Sequence, residues 1–287
     1  MEWTYTAPIL SLEKNYRFKS LTNKHYQAII KFCASKDDTG LIEYTQQLLS
    51  HLCQDPTIEF SRLPVIDQFF LLTRIRSICI GTRIELTLDD DVEENVKYTA
   101  FLAEIQKSIN RNYIQPIVIK SDDIEIILHY TSMWEEPTDN SYIKKILIDG
   151  TEVQIDTLHK HQINLLLDNL PRDLMRKIPE SISILNDSIN KMQFLQLPGD
   201  RHDICLDSKS YGYYLRTLYS SSIPNFIEQM YVFVKMLNMS LSDALNLSPT
   251  DTNLYYQMFV KELQEKEKLK NQAKAKNRNS RDISSRV

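Results

Sequence analysis

The sequence predicts an α+β protein that is predominantly helical, with a small antiparallel sheet in the middle of the chain and a helical C-terminal half. Three observations lead to this fold class. Apolar residues recur at helical spacing over most of the chain, three short β-branched runs cluster between residues 117 and 148, and only 5 of the 287 residues are glycine. A content of 42% hydrophobic and 25% charged residues is that of a globular protein.

Residues 1–60 are interpreted as an extended start followed by a helical pair. Thr22 is placed to cap the first helix, because a threonine side chain accepts a hydrogen bond from the exposed N–H groups of the first turn. Turn-forming residues follow at positions 37–40. Leucines between Leu41 and Leu52 then recur at helical spacing and predict the second helix.

Residues 61–150 are expected to contain a central helix and the small sheet. The helix between Ile66 and Gly81 is apolar around nearly its whole circumference, so it must be covered on all sides. Arg74 and Arg76 lie on this helix and therefore need carboxylate or carbonyl partners. We predict that these two arginines organise the central helix and that the sheet packs on this helix.

The segment after Gly81 is interpreted as a strand, an acidic turn and a helix. Alternating apolar residues at Ile84, Leu86 and Leu88 predict the strand, and an apolar series from Phe101 to Ile109 predicts the helix. The strands of the antiparallel sheet are predicted by three runs rich in β-branched residues. These runs are Ile117–Ile119, Ile124–Leu128 and Ile146–Ile148.

Residues 151–263 are expected to be helical. Pro171 stops or bends one helix, and an apolar stripe from Ile178 to Met192 predicts another that opens at Pro179. A later helix that opens near Pro224 is too apolar to face water on more than one edge. Residues 248–251 combine a serine, a proline and, three positions after the serine, an aspartate, which together predict the start of the last helix.

The last helix is predicted to carry contacts to the body or to a partner. Four apolar residues in its early turns are the candidates: Leu254, Tyr255, Met258 and Phe259. The helix is expected to end near Asn271, and residues 264–287 are expected to form a charged, flexible basic tail.

This tail separates the charge of the chain into two parts. Seven basic residues and one acid from Lys268 onward give about +6, while the remaining 27 basic and 37 acidic residues give −10. We predict that the tail acts as an electrostatic hook. The residues assigned to the hook are Lys268, Lys270, Lys274, Lys276 and Arg278.

Motif spacing excludes several chemical functions. Every glycine is more than ten positions from the next, so no phosphate-binding loop or nucleophile elbow with paired glycines can form. His159 and His161 fall on an expected helix about 200° apart, which disfavours a shared metal. The acidic run at 89–94 is interpreted as turn and helix-start residues, and the acids at 122–125 are interpreted as turn and strand-edge residues. We expect no catalytic residue, metal or cofactor.

Two further readings of the sequence remain as alternatives. The basic tail is also compatible with a nucleic-acid-associated adaptor. Tyrosines at 211, 213 and 214 beside Arg216 are compatible with stacking on nucleic-acid bases. We interpret these tyrosines instead as core and surface residues of one element. The weakest alternative is a cysteine hydrolase that uses Cys205 and His202. The cysteines are otherwise expected to be reduced and mostly buried, and no apolar stretch reaches the roughly 18 residues of a membrane segment.

The segment Leu63–Gly81, with the sequence LPVIDQFFLLTRIRSICIG, resembles the central signature of the T4-like bacteriophage baseplate hub assembly family. In that family an L-P pair, an acid, an F/L-rich helix, an L-R or I-R pair and an S…G end precede a strand region. The order of other segments between residues 8 and 263 also agrees. Many members carry a cysteine pair where this chain has Asp89–Asn95, so a zinc-like staple is not carried over.

The resemblance implies a non-enzymatic role in the phage tail, either as a baseplate hub component or as a hub assembly chaperone. Its partners would be other phage baseplate hub proteins, met in the host cytoplasm during assembly, and the protein would then stay in the virion tail baseplate or leave. The nucleic-acid adaptor is the alternative function, although nucleic acid is not the partner we expect. The sequence does not specify the oligomeric state or which hub protein is contacted.

Overall fold

A computed structural model describes residues 3–88, 96–132, 134, 138–155, 158–197, 199, 201–207, 210–219 and 223–284. It confirms an α+β fold that is predominantly helical. The helices are α1 Asn23–Ser35, α2 Asp38–Leu52, α3 Val65–Cys79, α4 Leu102–Asn112, α5 Lys160–Asp168, α6 Arg172–Asn190, α7 Tyr211–Tyr219, α8 Ile223–Lys235, α9 Leu241–Asn246 and α10 Pro249–Ser284. The strands are β1 Thr4–Ile9, β2 Lys14–Lys19, β3 Arg83–Leu88, β4 Val96–Phe101, β5 Ile117–Ser121, β6 Ile124–Leu128, β7 Ile143–Ile148, β8 Thr151–Gln154, β9 Gln193–Leu195 and β10 Ile204–Cys205.

Helix α3 is buried at the centre, as the sequence predicts. Its first nine residues, 65–73, are all buried, and a run of that length covers every direction around a helix. Strand β1 and helices α4 and α7 pack against it. The apolar character of α3 on all sides therefore corresponds to neighbours on all sides.

The small sheet has four antiparallel strands in the order β5-β6-β7-β8. The three predicted strands are confirmed as β5, β6 and β7. Strand β8 extends the sheet after a tight turn at Asp149 and Gly150. The φ values of these two residues, 51° and 74°, suit a two-residue hairpin turn. The main helical neighbour of this sheet is α6, which packs on β5 and β6. The central helix, which the sequence predicts as the support of the sheet, is therefore not its main helical neighbour. The apolar stripe of α6 occupies the face of the sheet instead.

Two segments form β-hairpins that the sequence does not predict. Strands β1 and β2 pair antiparallel with Ile9 opposite Lys14, so the extended start is a hairpin. After β3 the sequence predicts only a turn and a helix, but a second strand, β4, pairs with β3 before helix α4 begins at Leu102. The connecting residues 89–95, including the acidic run, lie outside the described residues.

Helix α6 begins seven residues earlier than the predicted start at Pro179. Pro171 stands immediately before its first residue, and Pro179 lies inside it. An internal proline deprives the carbonyl four positions earlier of its helical donor. That residue is Met175, which is 40% exposed, so water can reach this turn of the helix.

The hydrophobic core crosses the segment boundaries predicted at residues 60 and 150. One cluster of buried residues extends from Ala7 to Tyr219. A second, smaller cluster joins α1 to the C-terminal helices α8 and α9. Its members are Ile30, Phe226, Met230, Phe233 and Ala244.

Candidate protein-interaction surface

Helix α10 starts where the sequence predicts, with Ser248 as the N-terminal capping residue and Pro249 as the first helical residue. Ser248 Oγ accepts a hydrogen bond from Asp251 N–H at 3.0 Å and donates one to the Asp251 carboxylate at 2.8 Å. Pro249 occupies the first helical position, where its missing N–H costs nothing. The local sequence therefore determines this helix start.

Four hydrogen bonds attach the first turns of α10, and the segment just before them, to the body. The buried Asn23 donates from Nδ2 to Thr252 Oγ1 at 2.5 Å and to the Ala244 carbonyl at 2.8 Å, and its backbone N–H donates to the Leu247 carbonyl at 2.8 Å. Thr250 Oγ1 donates to the carbonyl of Cys79, at the end of α3, at 2.7 Å. The base of α10 is consequently held by α1 and α3 together.

Replacing Asn23 with alanine is expected to lower the free energy of unfolding by about 2 kcal/mol, because the buried Thr252 hydroxyl and Ala244 carbonyl each lose a hydrogen-bond donor. Urea denaturation measures this change. Asn253→Ala, at an exposed position on α10, is the matched control and should change the free energy of unfolding by less than about 0.5 kcal/mol. Equal losses in the two variants would contradict the structural role of Asn23.

The candidate contact residues of α10 face mostly away from the body. Leu254, Tyr255 and Met258 are 54%, 47% and 60% exposed, while Phe259 is partly buried. The expectation that these early turns dock on the body is therefore wrong for Leu254 and Met258. Tyr255 keeps an edge contact with the ring of Phe233, whose centroid is 6.4 Å away. A role for these residues in partner contacts stays a prediction.

Helix α8 also exposes apolar side chains, which the sequence analysis did not assign to a site. Its inner residues Phe226, Met230 and Phe233 enter the smaller cluster, while Ile227 and Tyr231, one turn apart, are 58% and 60% exposed. The sequence signal for this exposed surface is that α8 has more apolar residues than one buried stripe can hold. Helices α8 and α10 thus both present apolar residues to solvent.

Helix α10 continues well beyond its first turns. It runs to Ser284, so the predicted helix end near Asn271 is wrong. Strong helix formers dominate residues 261–276, and Lys266 forms an ion pair with Glu262 one turn earlier at 2.7 Å. Lys268 and Lys270 are exposed. The side chains of the other hook residues, Lys274, Lys276 and Arg278, lie outside the described residues.

The two arginines of α3 make contacts within the protein. Arg76 donates from its guanidinium to the carbonyls of Leu218 and Gly81, as the prediction of carbonyl partners requires. Burial lowers the pKa of Arg76. Arg74 donates to the side-chain oxygen of Gln106 at 3.4 Å. Arg76 therefore joins the end of α3 to α7, and Arg74 joins α3 to α4.

Two of the candidate metal ligands, His159 and Glu125, make other contacts, and Glu125 pairs with the Nζ of Lys120 at 2.6 Å. The acidic run at 89–94 lies outside the described residues. His159 precedes α5 and takes part in its N-terminal capping with Gln162, whose Oε1 accepts from the His159 N–H at 2.9 Å. Across the described ranges, no group of three or more His, Cys, Asp or Glu side chains is placed to hold a metal ion.

The surroundings of Cys205 favour the protonated thiol. Burial, and then the negative charge of Asp203, raise the pKa of the Cys205 thiol, which favours the protonated, less reactive form. The nearby tyrosines divide between core and surface as expected: Tyr211 and Tyr214 are buried and Tyr213 is exposed.

Two grooves mark the surface of the described part of the chain. A groove of about 330 Å³ runs beside the start of α10 and is lined in part by Lys19, His25 and His51. A groove of about 780 Å³ between β4, α4 and β9 is lined in part by Lys107 and Arg111. Both linings mix polar and apolar side chains and carry both signs of charge, with Asp251 in the first groove and Glu104 in the second.

Comparison with known proteins gives one match. A family model described as T4 bacteriophage base plate protein matches residues 2–190, about two thirds of the chain. Searches of curated proteins and of solved structures return no match. Helices α7 to α10 lie beyond the matched residues. Each helix in the described ranges is too short or too polar for a membrane span.

Proposed function

Because this chain belongs to the T4 bacteriophage base plate protein family, we propose that it is a baseplate hub component or a hub assembly chaperone. The family match over residues 2–190 carries the proposal and gives a structural role in the phage tail baseplate. In the proposed role the protein acts through contacts with other hub proteins and makes or breaks no bonds of its own.

The exposed apolar residues support a function that depends on protein contacts. Monomeric soluble proteins rarely leave large apolar groups of neighbouring residues in water unless a partner covers them. Leu254 and Met258 on α10, and Ile227 and Tyr231 on α8, are each more than half exposed. Apolar anchors surrounded by charged residues are the usual composition of a protein interface.

The proposed partners are the other hub proteins of the same phage. Their association with this chain would begin in the host cytoplasm, where baseplates assemble. A hub component would remain in the virion tail, whereas a chaperone would leave before the tail is complete. Mass spectrometry of purified tails separates these two roles, since only a retained component is found there at stoichiometric amounts.

Deletion of the gene from the phage is expected to abolish complete baseplates, because hub proteins would lack the contacts that hold them during ring closure. Electron microscopy of lysates measures complete and partial baseplates. Expression of the full chain from a plasmid is the control and should restore assembly. Complete baseplates in normal number from the deletion phage would overturn the proposal.

A further inference from the structure

We infer that helices α8, α9 and α10 form a strap that detaches from α1 as one unit while the body, which is the described part of residues 3–219, stays folded. Detachment uncovers the face of α1 that carries Asn23, Tyr26 and Ile30. These three residues lie within the segment matched by the family model, whereas the strap lies beyond it. The strap is thus a cover, outside the matched residues, over a face inside them.

The strap has a small hydrophobic core of its own. Phe226, Met230 and Phe233 of α8 are buried together with Ala244 of α9. The ring of Tyr255 on α10 meets the ring of Phe233 at a centroid distance of 6.4 Å. Helices that share one cluster of contacts open and close as a cooperative unit. The three helices are therefore expected to move together.

The body contributes few apolar side chains to this cluster. Among the described residues, Ile30 is its one buried member from the body, and Tyr26 packs against it with partial burial. The ring of Tyr26 meets the ring of Phe226 at a centroid distance of 6.2 Å. Because the hydrophobic effect scales with the apolar area removed from water, detachment of the strap costs much less than unfolding of the whole chain.

The apolar packing of the body does not depend on the strap. The buried members of the larger cluster run from Ala7 to Tyr219 in the described ranges, and none of them lies on α8, α9 or α10. Helix α3 and the four-stranded sheet therefore keep their apolar neighbours when the strap is detached. A state with an open strap and an intact body consequently lies lower in free energy than the unfolded state.

The hydrogen bonds that close the strap converge on Asn23. This residue of α1 donates three hydrogen bonds to the strap, at distances of 2.5 to 2.8 Å. Thr250 of α10 donates to the carbonyl of Cys79 at 2.7 Å. Once the strap is detached, water can bond each of these groups, so their separation costs little compared with groups left unpaired in a core. A change at Asn23 should therefore shift the opening equilibrium.

A groove runs along one side of the seam between strap and body. It has a volume of about 330 Å³. Trp3, Lys19 and His51 line it from the body, and Asp251 and Tyr255 line it from the strap. Protein interiors are close-packed and leave no such gap. One edge of the contact is therefore open to solvent even when the strap is closed.

Hydrogen exchange of the full-length protein at pH 7, followed by mass spectrometry, tests the inference. The amides of α8 are expected to exchange at least about 100-fold faster than the slowest amides of α3, because the strap opens without global unfolding. In low concentrations of urea the rates in α8 should also rise less steeply than those in α3. The slope with urea scales with the surface exposed, which is smaller for detachment.

Tyr130→Phe separates opening of the strap from unfolding of the whole chain. The Tyr130 hydroxyl accepts from the Ile114 N–H at 2.9 Å and bonds Ser188 Oγ at 2.6 Å, both inside the body. Its removal destabilises the closed and the open state equally. The slowest amides of α3 should then exchange about tenfold faster, while those of α8 keep their rates within about twofold.

Asn23→Ala separates detachment of the strap from fraying of α8 in place. The three hydrogen bonds of Asn23 exist only in the closed state, so their loss should make the amides of α8 exchange at least about tenfold faster. Thr250→Val is the milder second variant and should raise these rates about threefold. Asn253→Ala, at an exposed position on α10, is the matched control and should change them by less than about twofold.

Two results would overturn the inference. Equal exchange rates in α8 and α3, both raised by Tyr130→Phe, would show that the strap opens only when the whole chain unfolds. Rates in α8 that Asn23→Ala and Thr250→Val both leave unchanged would show that α8 frays in place without detachment. Neither result bears on the proposed function, which the deletion phage tests separately.

Discussion

Replacing Arg76 with methionine is expected to lower the free energy of unfolding by about 3 kcal/mol, which is a large part of the stability of an ordinary domain. The guanidinium of Arg76 donates to the carbonyls of Leu218 and Gly81, so one side chain serves the end of α3 and the end of α7. Methionine retains most of the apolar stem but provides no donor. Both carbonyls would then lose a charge-assisted hydrogen bond.

Arg74→Met is the matched control for this prediction, because it removes the same side chain from the same helix. Arg74 has one long contact of 3.4 Å with the side-chain oxygen of Gln106, whereas Arg76 donates to two backbone carbonyls. Its loss should cost about 1 kcal/mol or less. Urea denaturation at pH 7 measures both variants. Equal losses for Arg74→Met and Arg76→Met would show that the carbonyl contacts of Arg76 do not stabilise the fold.

Asp67→Asn is expected to remove a pH dependence of stability that the buried Asp67 carboxyl produces. Asp67 is fully buried on α3, and burial raises its pKa to about 6, although hydrogen bonds from Ser11 and Tyr113 act in the opposite direction. The same carboxyl ionises near pH 4 in the unfolded chain. Between pH 4 and pH 6 the unfolded state therefore loses this proton while the folded state keeps it.

Stability consequently falls as the pH rises through this window. The pKa difference of about two units corresponds to a loss of about 3 kcal/mol in the free energy of unfolding. Most of this loss has occurred by about pH 6. Asparagine cannot ionise, so the Asp67→Asn variant should gain about 3 kcal/mol relative to the unchanged protein between pH 4 and pH 6, with no further relative gain above pH 6. Other titrating groups are present in both proteins and cancel in the difference.

Urea denaturation at pH 4, 5, 6 and 7 measures the relative gain. Asp122→Asn is the control, because Asp122 is an exposed turn residue with a φ of 47°, a conformation that asparagine tolerates. A pH-dependent gain in this control equal to that of Asp67→Asn would show that the effect does not come from the burial of Asp67. A difference for Asp67→Asn that stays constant from pH 4 to pH 7 would contradict the assigned role of the buried carboxyl.

The elements that the sequence predicted well are those whose signal is local. The run of apolar residues on α3 has no polar face at all, so only a central position is possible for it. The start of α10 depends on a serine, a proline and an aspartate within four positions. The three β-branched runs became strands because their side chains favour a pleated, half-buried backbone.

The elements that were missed depend on contacts between distant parts of the chain. Strand β4 exists through its pairing with β3, and the first hairpin through its packing on α3. Pro179 looked like a helix start, yet α6 continues through it, one turn after the exposed Met175. Whether a helix continues through a proline depends on how the whole helix packs, which the neighbouring residues do not show.

The sequence by itself determined the fold class, the central helix, the start of the last helix and the resemblance to a baseplate family, because each follows from composition or from spacing within a few turns. Only the tertiary structure decided which face of α10 meets solvent. Asn23 lies 229 positions from Thr252 and turns that residue inward, since a buried amide and a buried hydroxyl must each find a hydrogen-bond partner. Leu254 and Met258 are left in water by that rotation, and the candidate surface follows from it.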